Sequence, residues 1–155
     1  MYPKAFVKYL AHFHGTRDYF ECHEVLEDHW KKTEPGNRRS VWVCLIQLAV
    51  SQYHFRRGNS TGAYTLINRT LEKLKESQQQ ITALGIQSDL LIQEALHIKS
   101  RIVEQKGYIS IDLPLSDPEL LKEVKQLCLI WGVGYGASSD LTNLDLIDKH
   151  KRRRR

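Results

Sequence analysis

Apolar residues fall at helical spacing along most of the chain. Phe6, Tyr9, Leu10 and Phe13 stand at i, i+3, i+4 and i+7, which predicts an amphipathic helix from Pro3 to about Phe13. A proline suits its first turn and Gly15 ends it. The second segment runs from Asp18 to about Lys32. Asp18 and Glu21 have capping-box spacing, and Tyr19, Cys22, Leu26 and Trp30 form one apolar stripe at 100° per residue. His23 lies inside that stripe and Glu27 on its shoulder. Glu24 lies about 100° around from His23, beside Phe20. Pro35-Gly36-Asn37 then reads as a turn. The third segment, Arg38 to about Arg57, contains VWVCLIQLAV, which is apolar on nearly every face and predicts the most buried helix. Gln47 is the one strongly polar residue in that run. Ser51 and His54 continue its side of the helix at i+4 and i+7.

Gly58-Asn59 separates this helix from a fourth, about Thr61 to Gln80, with Ala63, Leu66, Ile67, Leu71 and Leu74 as its apolar face. A fifth, Ser88 to Gln105, is lined by Leu91, Ala95, Ile98 and Ile102 and should pair antiparallel with the fourth. Tyr108 to Leu115 alternates apolar and polar residues, as extended chain does, but Pro114 and the lack of a second strand make it a strap rather than part of a sheet. A sixth helix is expected from Ser116, with Glu119 at capping-box spacing, to about Trp131. GVGYGASSD follows as a flexible loop, then a short helix at Leu141 to Ile147 and a basic end. The pattern as a whole predicts an all-α protein, a compact multi-helix bundle of five or six helices with an extended segment near 108–115. Residues 1–131 read as a single helical domain, and 132–155 as loop, short helix and tail.

With 155 residues, the chain is long enough for one core. Its longest apolar run, Val41 to Val50, falls far short of the ~20 residues of a membrane span, and the first residues lack the pattern of a signal peptide. The expected compartment is cytoplasmic, with no membrane partner. The net charge is +5, but residues 149–155, KHKRRRR, hold six positive charges, and removing those takes it to −1. The basic character therefore belongs to Lys149–Arg155, which would attract nucleic acid or an acidic partner if it is more than a solvated end. Cys22, Cys44 and Cys128 are odd in number and widely spaced. They read as small buried hydrophobes, not as a zinc or redox motif.

Phe13-x-Gly15, Tyr19-Phe20-Glu21-Cys22-His23-Glu24-Val25-Leu26-Glu27 and Trp30 form a composite motif. It continues through Arg39, Leu45-Ile46-Gln47-x-Ala49, His54, Gly58-Asn59 and Gly62-Ala63. This resembles the signature of domain of unknown function 309, over about residues 6–76. Cys22 departs from the alanine expected in that motif. The resemblance implies a compact α-helical fold with a polar cluster shared by the second and third helices, and no particular reaction.

The residues themselves point to the same place. His23 should face the third helix, which offers Gln47 and His54, and Glu27 lies one turn from His23. Arg39 or Arg38 could pair with Glu24 or Glu27. A buried polar group without a partner costs about 1–3 kcal/mol, so the simplest arrangement is a mutually bonded network that fixes helix register and binds nothing. A second reading is a pocket for a small polar ligand or substrate formed by His23, Glu24, Glu27, Arg39, Gln47 and His54. In it His23 would be the acid/base, oriented by Glu27 or Glu24. A third is a metal-assisted hydrolase with a divalent ion at His23, Glu27 and His54. No cofactor is otherwise expected, because His-Glu-x-x-Glu lacks the second histidine of the zinc-protease motif and Glu-x-x-His is absent from both helices. A non-enzymatic alternative is an interaction module, since the third helix, Gly58-Asn59 and Ala63 resemble one tetratricopeptide helix pair. His12, His14, His29, His97 and His150 read as secondary or surface residues. An exposed stripe on the fifth or sixth helix would suit a dimer, though the pattern does not decide oligomeric state.

Overall fold

The computed structural model describes residues 1–153, so Arg154 and Arg155 of the expected basic tail lie outside the described residues. Within these limits the chain is all-helical. The helices are α1 (Lys4–Ala11), α2 (Tyr19–Thr33), α3 (Val41–Arg56), α4 (Ser60–Glu76), α5 (Gln78–Ala83), α6 (Ser88–Val103), α7 (Pro118–Ile130), α8 (Leu144–Ile147) and α9 (Lys149–Arg153). Nine helices among the described residues exceed the five or six expected, for two local reasons. Ser77 leaves helical geometry at φ −115°, ψ 23° and divides the fourth expected helix into α4 and α5. Beyond the loop, Asn143 caps α8 through its side chain, which accepts from Leu146 N at 3.3 Å, and α9 follows directly.

Side-chain caps set most of the longer starts. Asp18 accepts from Glu21 N at 3.1 Å, Ser40 from Trp42 N at 3.1 Å, and Asn59 from Gly62 N at 3.0 Å. Each satisfies an otherwise unpaired amide of a first turn. The cap of α7 falls one residue later than the pattern suggests, on Asp117, which accepts from Glu119 N at 2.9 Å. Ser88 is no cap; it lies inside α6.

Consecutive helices pack on one another: α1 on α2, α2 on α3, α3 on α4, and α4 on α6, with α7 against α1. The core runs through Leu26, Cys44, Leu45, Leu48, Ala49, Ile67, Leu74 and Ala95, all fully buried. Helix α3 carries it, because its apolar residues face α2 on one side and α4 on the other.

Five residues, His12–Thr16, continue α1 as a π-helical turn. Gly15 lies there with no room for a side chain: a Cβ would come within 2.8 Å of Cys128 Sγ and 2.9 Å of Val133 Cγ2. The stretch 108–115 crosses beside this turn without helical structure. Among the described residues it joins no strand, and Leu115 makes only an isolated antiparallel bridge to Ile86. His14, fully buried, holds the strap. Its Nδ1 lies 2.8 Å from Leu10 O and its Nε2 accepts from Leu113 N at 2.8 Å, while its ring stacks on Tyr135 at 4.8 Å. Arg17, 2% exposed and in the left-handed region at φ 57°, ties down the same area. It donates to Phe13 O at 3.0 Å, to Ala137 O at 2.7 Å and to Ile111 O, and pairs with Asp112 at 2.8 Å. Gly136 N adds a bond to His14 O at 2.7 Å. The Gly-rich stretch expected to be a flexible loop is therefore fastened to the N-terminal helices. No helix among the described residues is long and apolar enough to cross a membrane.

Candidate functional site

Asp18 starts α2 so that its second and third turns present His23, Glu24 and Glu27 beside α3. His23 sits between two carboxylates. Its Nε2 contacts Glu27 and its Nδ1 lies 3.6 Å from Glu24 Oε1. Glu27 also receives Lys31 Nζ at 2.9 Å, and chiefly this bond, with help from His23, holds its carboxyl below the usual range. Glu27 takes the Nε2 of His23, while Nδ1 faces Glu24 at a distance too long for a hydrogen bond.

Gln47 does not complete the expected network. The residue is half-buried, and among the described residues its Oε1 is buried without a hydrogen-bond partner and its amide makes no hydrogen bond. His54 turns instead to Asn59, with Nδ1 3.3 Å from Nδ2, and burial lowers its pKa. Arg39 is exposed, away from the cluster, and Glu24 stands at its outer edge with 46% of its side chain exposed. The six expected ligand-binding residues thus do not form one cluster: His23, Glu24 and Glu27 meet, Gln47 shares one hollow with Glu27, His54 shares another with His23, and Arg39 lines neither. Among the described residues, no group of three or more His, Cys, Asp or Glu is arranged to hold a metal ion.

Two hollows open along α2 and α3. The smaller, about 190 Å³, is walled by Tyr19, Phe20, His23, Val50, Tyr53, His54 and His150. It is almost wholly apolar, and α9 closes one side of it. His150 bonds through Nδ1 to Tyr53 OH, which also accepts from His150 N at 3.1 Å. Lys149 Nζ reaches Asp18 at 2.5 Å and Glu21 at 3.2 Å, and Arg57 pairs with Asp148 at 3.3 Å. His150, expected to be a lone surface residue, is therefore part of this wall. Burial pushes the Tyr53 hydroxyl up and raises the Cys22 thiol well above its ordinary value, so neither is a ready nucleophile.

The larger hollow, about 430 Å³, lies between α2, α3 and α4. Trp30, Val43 and Ile46 provide apolar surface, Gln47 and Glu27 polar surface, and Arg38, Arg69 and Lys73 surround them. Among the described residues none of these three cations makes an ion pair or hydrogen bond through its side chain. The one carboxylate present, Glu27, already has His23 and Lys31. The cleft therefore carries excess positive charge, from the half-buried Lys73 and from Arg38 and Arg69 at its exposed rim, which favours an anion.

The sequence pattern points to Glu27 and Gln47 of this cleft but misses Arg69 and Lys73. Their one local signal is the i, i+4 placement of two like charges, which weakens an isolated helix. Nothing local signals His150, which arrives from the far end of the chain. Of the remaining histidines, His12 rests on Trp131 at 4.5 Å, His29 meets Trp42 edge-on at 4.9 Å, and His97 is exposed.

The family model described as "Domain of unknown function (DUF309)" matches residues 6–66. That span carries α1, α2, α3 and the start of α4, and so most of the cleft. Over all 155 residues the chain is 41% identical to the uncharacterized protein YpuF of Bacillus subtilis (strain 168), covering 89% of that protein. No solved structure matches significantly.

Proposed function

The chain belongs to the family described as domain of unknown function 309, and from that premise we propose that it is a binding protein whose α2–α3–α4 cleft takes a small anionic molecule. One observation carries this reading. Three cations without counter-ions, Arg38 from the turn before α3 and Arg69 and Lys73 from α4, converge on a 430 Å³ cleft that also holds a Gln47 amide without a protein partner. The volume suits a small ligand. A carboxylate or phosphate group would accept from the guanidinium and ammonium groups, since charge-assisted bonds to oxyanions are the stronger kind. Gln47 would supply a neutral hydrogen bond, and Trp30, Val43 and Ile46 would cover the apolar part of the molecule. Lys31 neutralises the Glu27 carboxylate that would otherwise repel an anion, and His23 holds that carboxylate in place.

Titration calorimetry against a panel of small carboxylates and phosphates, with neutral analogues as controls, tests this. Anionic members should bind and their neutral analogues should not. Lys73→Ala should weaken binding about tenfold or more, the loss of roughly 1.5–3 kcal/mol for a charge-assisted bond, and Gln47→Leu about two- to tenfold, roughly 0.5–1.5 kcal/mol for a neutral one. Neither variant should lower the melting temperature appreciably. Equal binding of neutral analogues, or full affinity in Lys73→Ala, would refute the proposal. An enzymatic role for His23 would instead show as turnover lost in His23→Ala with binding intact.

A further inference from the structure

Helix α7 buries only a narrow line of side chains. Leu120, Val124 and Cys128 reach the core, and α1 is the helix they pack beside. Beside that line the helix carries further apolar residues, set among the exposed Lys122, Glu123, Lys125 and Gln126. Leu129 and Ile130 are each 79% exposed, and Leu121 and Leu127 are half-buried. A lone exposed leucine is ordinary, but two adjacent large apolar residues exposed beside mostly apolar grooves mark a place of contact. The surface there is not flat. A groove of about 360 Å³ follows one flank, from Pro118 past Leu121 to Leu129, and another of about 390 Å³ follows the other, where Leu127 and Ile130 face Val7 of α1.

The charge around these grooves decides what can cover them. Lys122 and Lys125 line the first groove and Lys4 and Lys8 the second, against a single carboxylate, Glu123. Among the described residues none of the four lysines makes an ion pair. A second copy of this chain docked on the same face would bring these lysines against one another, which disfavours self-association. A neutral apolar partner would leave them without counter-charge. An anionic bilayer would satisfy them, but two parallel grooves separated by a helix match separate rows of side chains better than a smooth surface.

We propose that the paired grooves flanking α7 are the docking surface for an acidic amphipathic helix of another protein. Apolar side chains of that helix, spaced at i, i+3, i+4 and i+7, pack on Leu129 and Ile130 and reach into the groove mouths on either side. Its acidic residues meet Lys4, Lys8, Lys122 and Lys125. The surface lies on α1 and α7, away from the α2–α3–α4 cleft, and does not depend on that cleft binding a ligand.

The test is a selection from a display library of amphipathic helical peptides of varied net charge, run on the full chain. Enriched peptides are expected to be acidic, and one of them, made synthetically and followed by fluorescence anisotropy, should bind more weakly as salt rises. Lys122→Glu with Lys125→Glu should weaken it at least tenfold, and Leu129→Ser with Ile130→Ser should do the same. All four positions are exposed, so circular dichroism should show both variants folded. Enrichment of neutral or basic peptides, or no enrichment, would overturn the proposal. So would a chain that sediments as a dimer through this face, or one that floats with phosphatidylglycerol vesicles and loses that property on Leu129→Ser with Ile130→Ser.

Discussion

His14 makes stability depend on pH in a defined window. The neighbours of its ring decide the form it must take. Leu10 O can only accept, so Nδ1 carries the proton; Leu113 N–H can only donate, so Nε2 must be bare. Protonation at Nε2 would set one donor against another in a place sealed from water. Burial accordingly lowers the pKa of His14 to about 4, whereas an unfolded chain has it near ~6.5. Above that unfolded value both states are neutral and the stabilisation is fully present. As the pH falls from about 6.5 toward 4, the unfolded chain takes up a proton that the folded one refuses, and stability is lost. The total is about 3 kcal/mol, from the pKa difference at 1.36 kcal/mol per unit. Urea unfolding of the wild type and His14→Gln at pH 7, 6, 5 and 4 measures it. The advantage of the wild type should shrink by about 3 kcal/mol between pH 7 and 4, since other groups titrate alike in both proteins. Hydrogen exchange at the Leu113 amide should quicken over the same range in the wild type. A stability difference that stays constant with pH would refute the assignment of His14 as the neutral clasp of the strap.

Arg17→Met keeps the apolar stem but removes the donors to Phe13 O, Ile111 O and Ala137 O. It should cost about 3–5 kcal/mol by urea unfolding, the usual penalty for stranding buried polar groups and a charge partner; a loss under about 1 kcal/mol would contradict the role given to Arg17. Gly15→Ala should lower stability by about 1–3 kcal/mol, because the new methyl overlaps Cys128 Sγ and Val133 Cγ2. A melting temperature unchanged by Gly15→Ala would show that α1 and α7 can part at no cost.

What the sequence reveals about this fold is what repeats locally. The stripe Tyr19, Cys22, Leu26, the all-round apolar α3 and the Asp18 cap are periodic or short-range features, and the structure has each of them. The break at Ser77 is less legible, since no glycine or proline marks it. The candidate site is legible only in part. Helical geometry puts His23, Glu24 and Glu27 together, because their contacts lie within two turns of one helix. It cannot show that Gln47 faces Arg69 and Lys73, which come from α4, or that His54 prefers Asn59. Arg17 and Arg56 are the sharpest case. Charged residues at a helix start and a helix end ordinarily face water, yet Arg56 is 8% exposed, donates to Arg17 O at 2.6 Å and stacks over the Tyr19 ring at 4.5 Å. Most of their partners are backbone carbonyls and an aromatic face, for which sequence spacing has no code.

The bonds that complete the turn between α1 and α2 span almost the whole chain. His14 waits for Leu113, 99 residues away, Arg17 for Ala137, 120 away, and Asp18 for Lys149, 131 away. During synthesis the first four helices can leave the ribosome and collapse on α3 while this turn still lacks its strap, with Arg17 and His14 open to water. Contacts so distant in sequence close slowly. The residues made first thus depend for their native neighbours on the part of the chain made last.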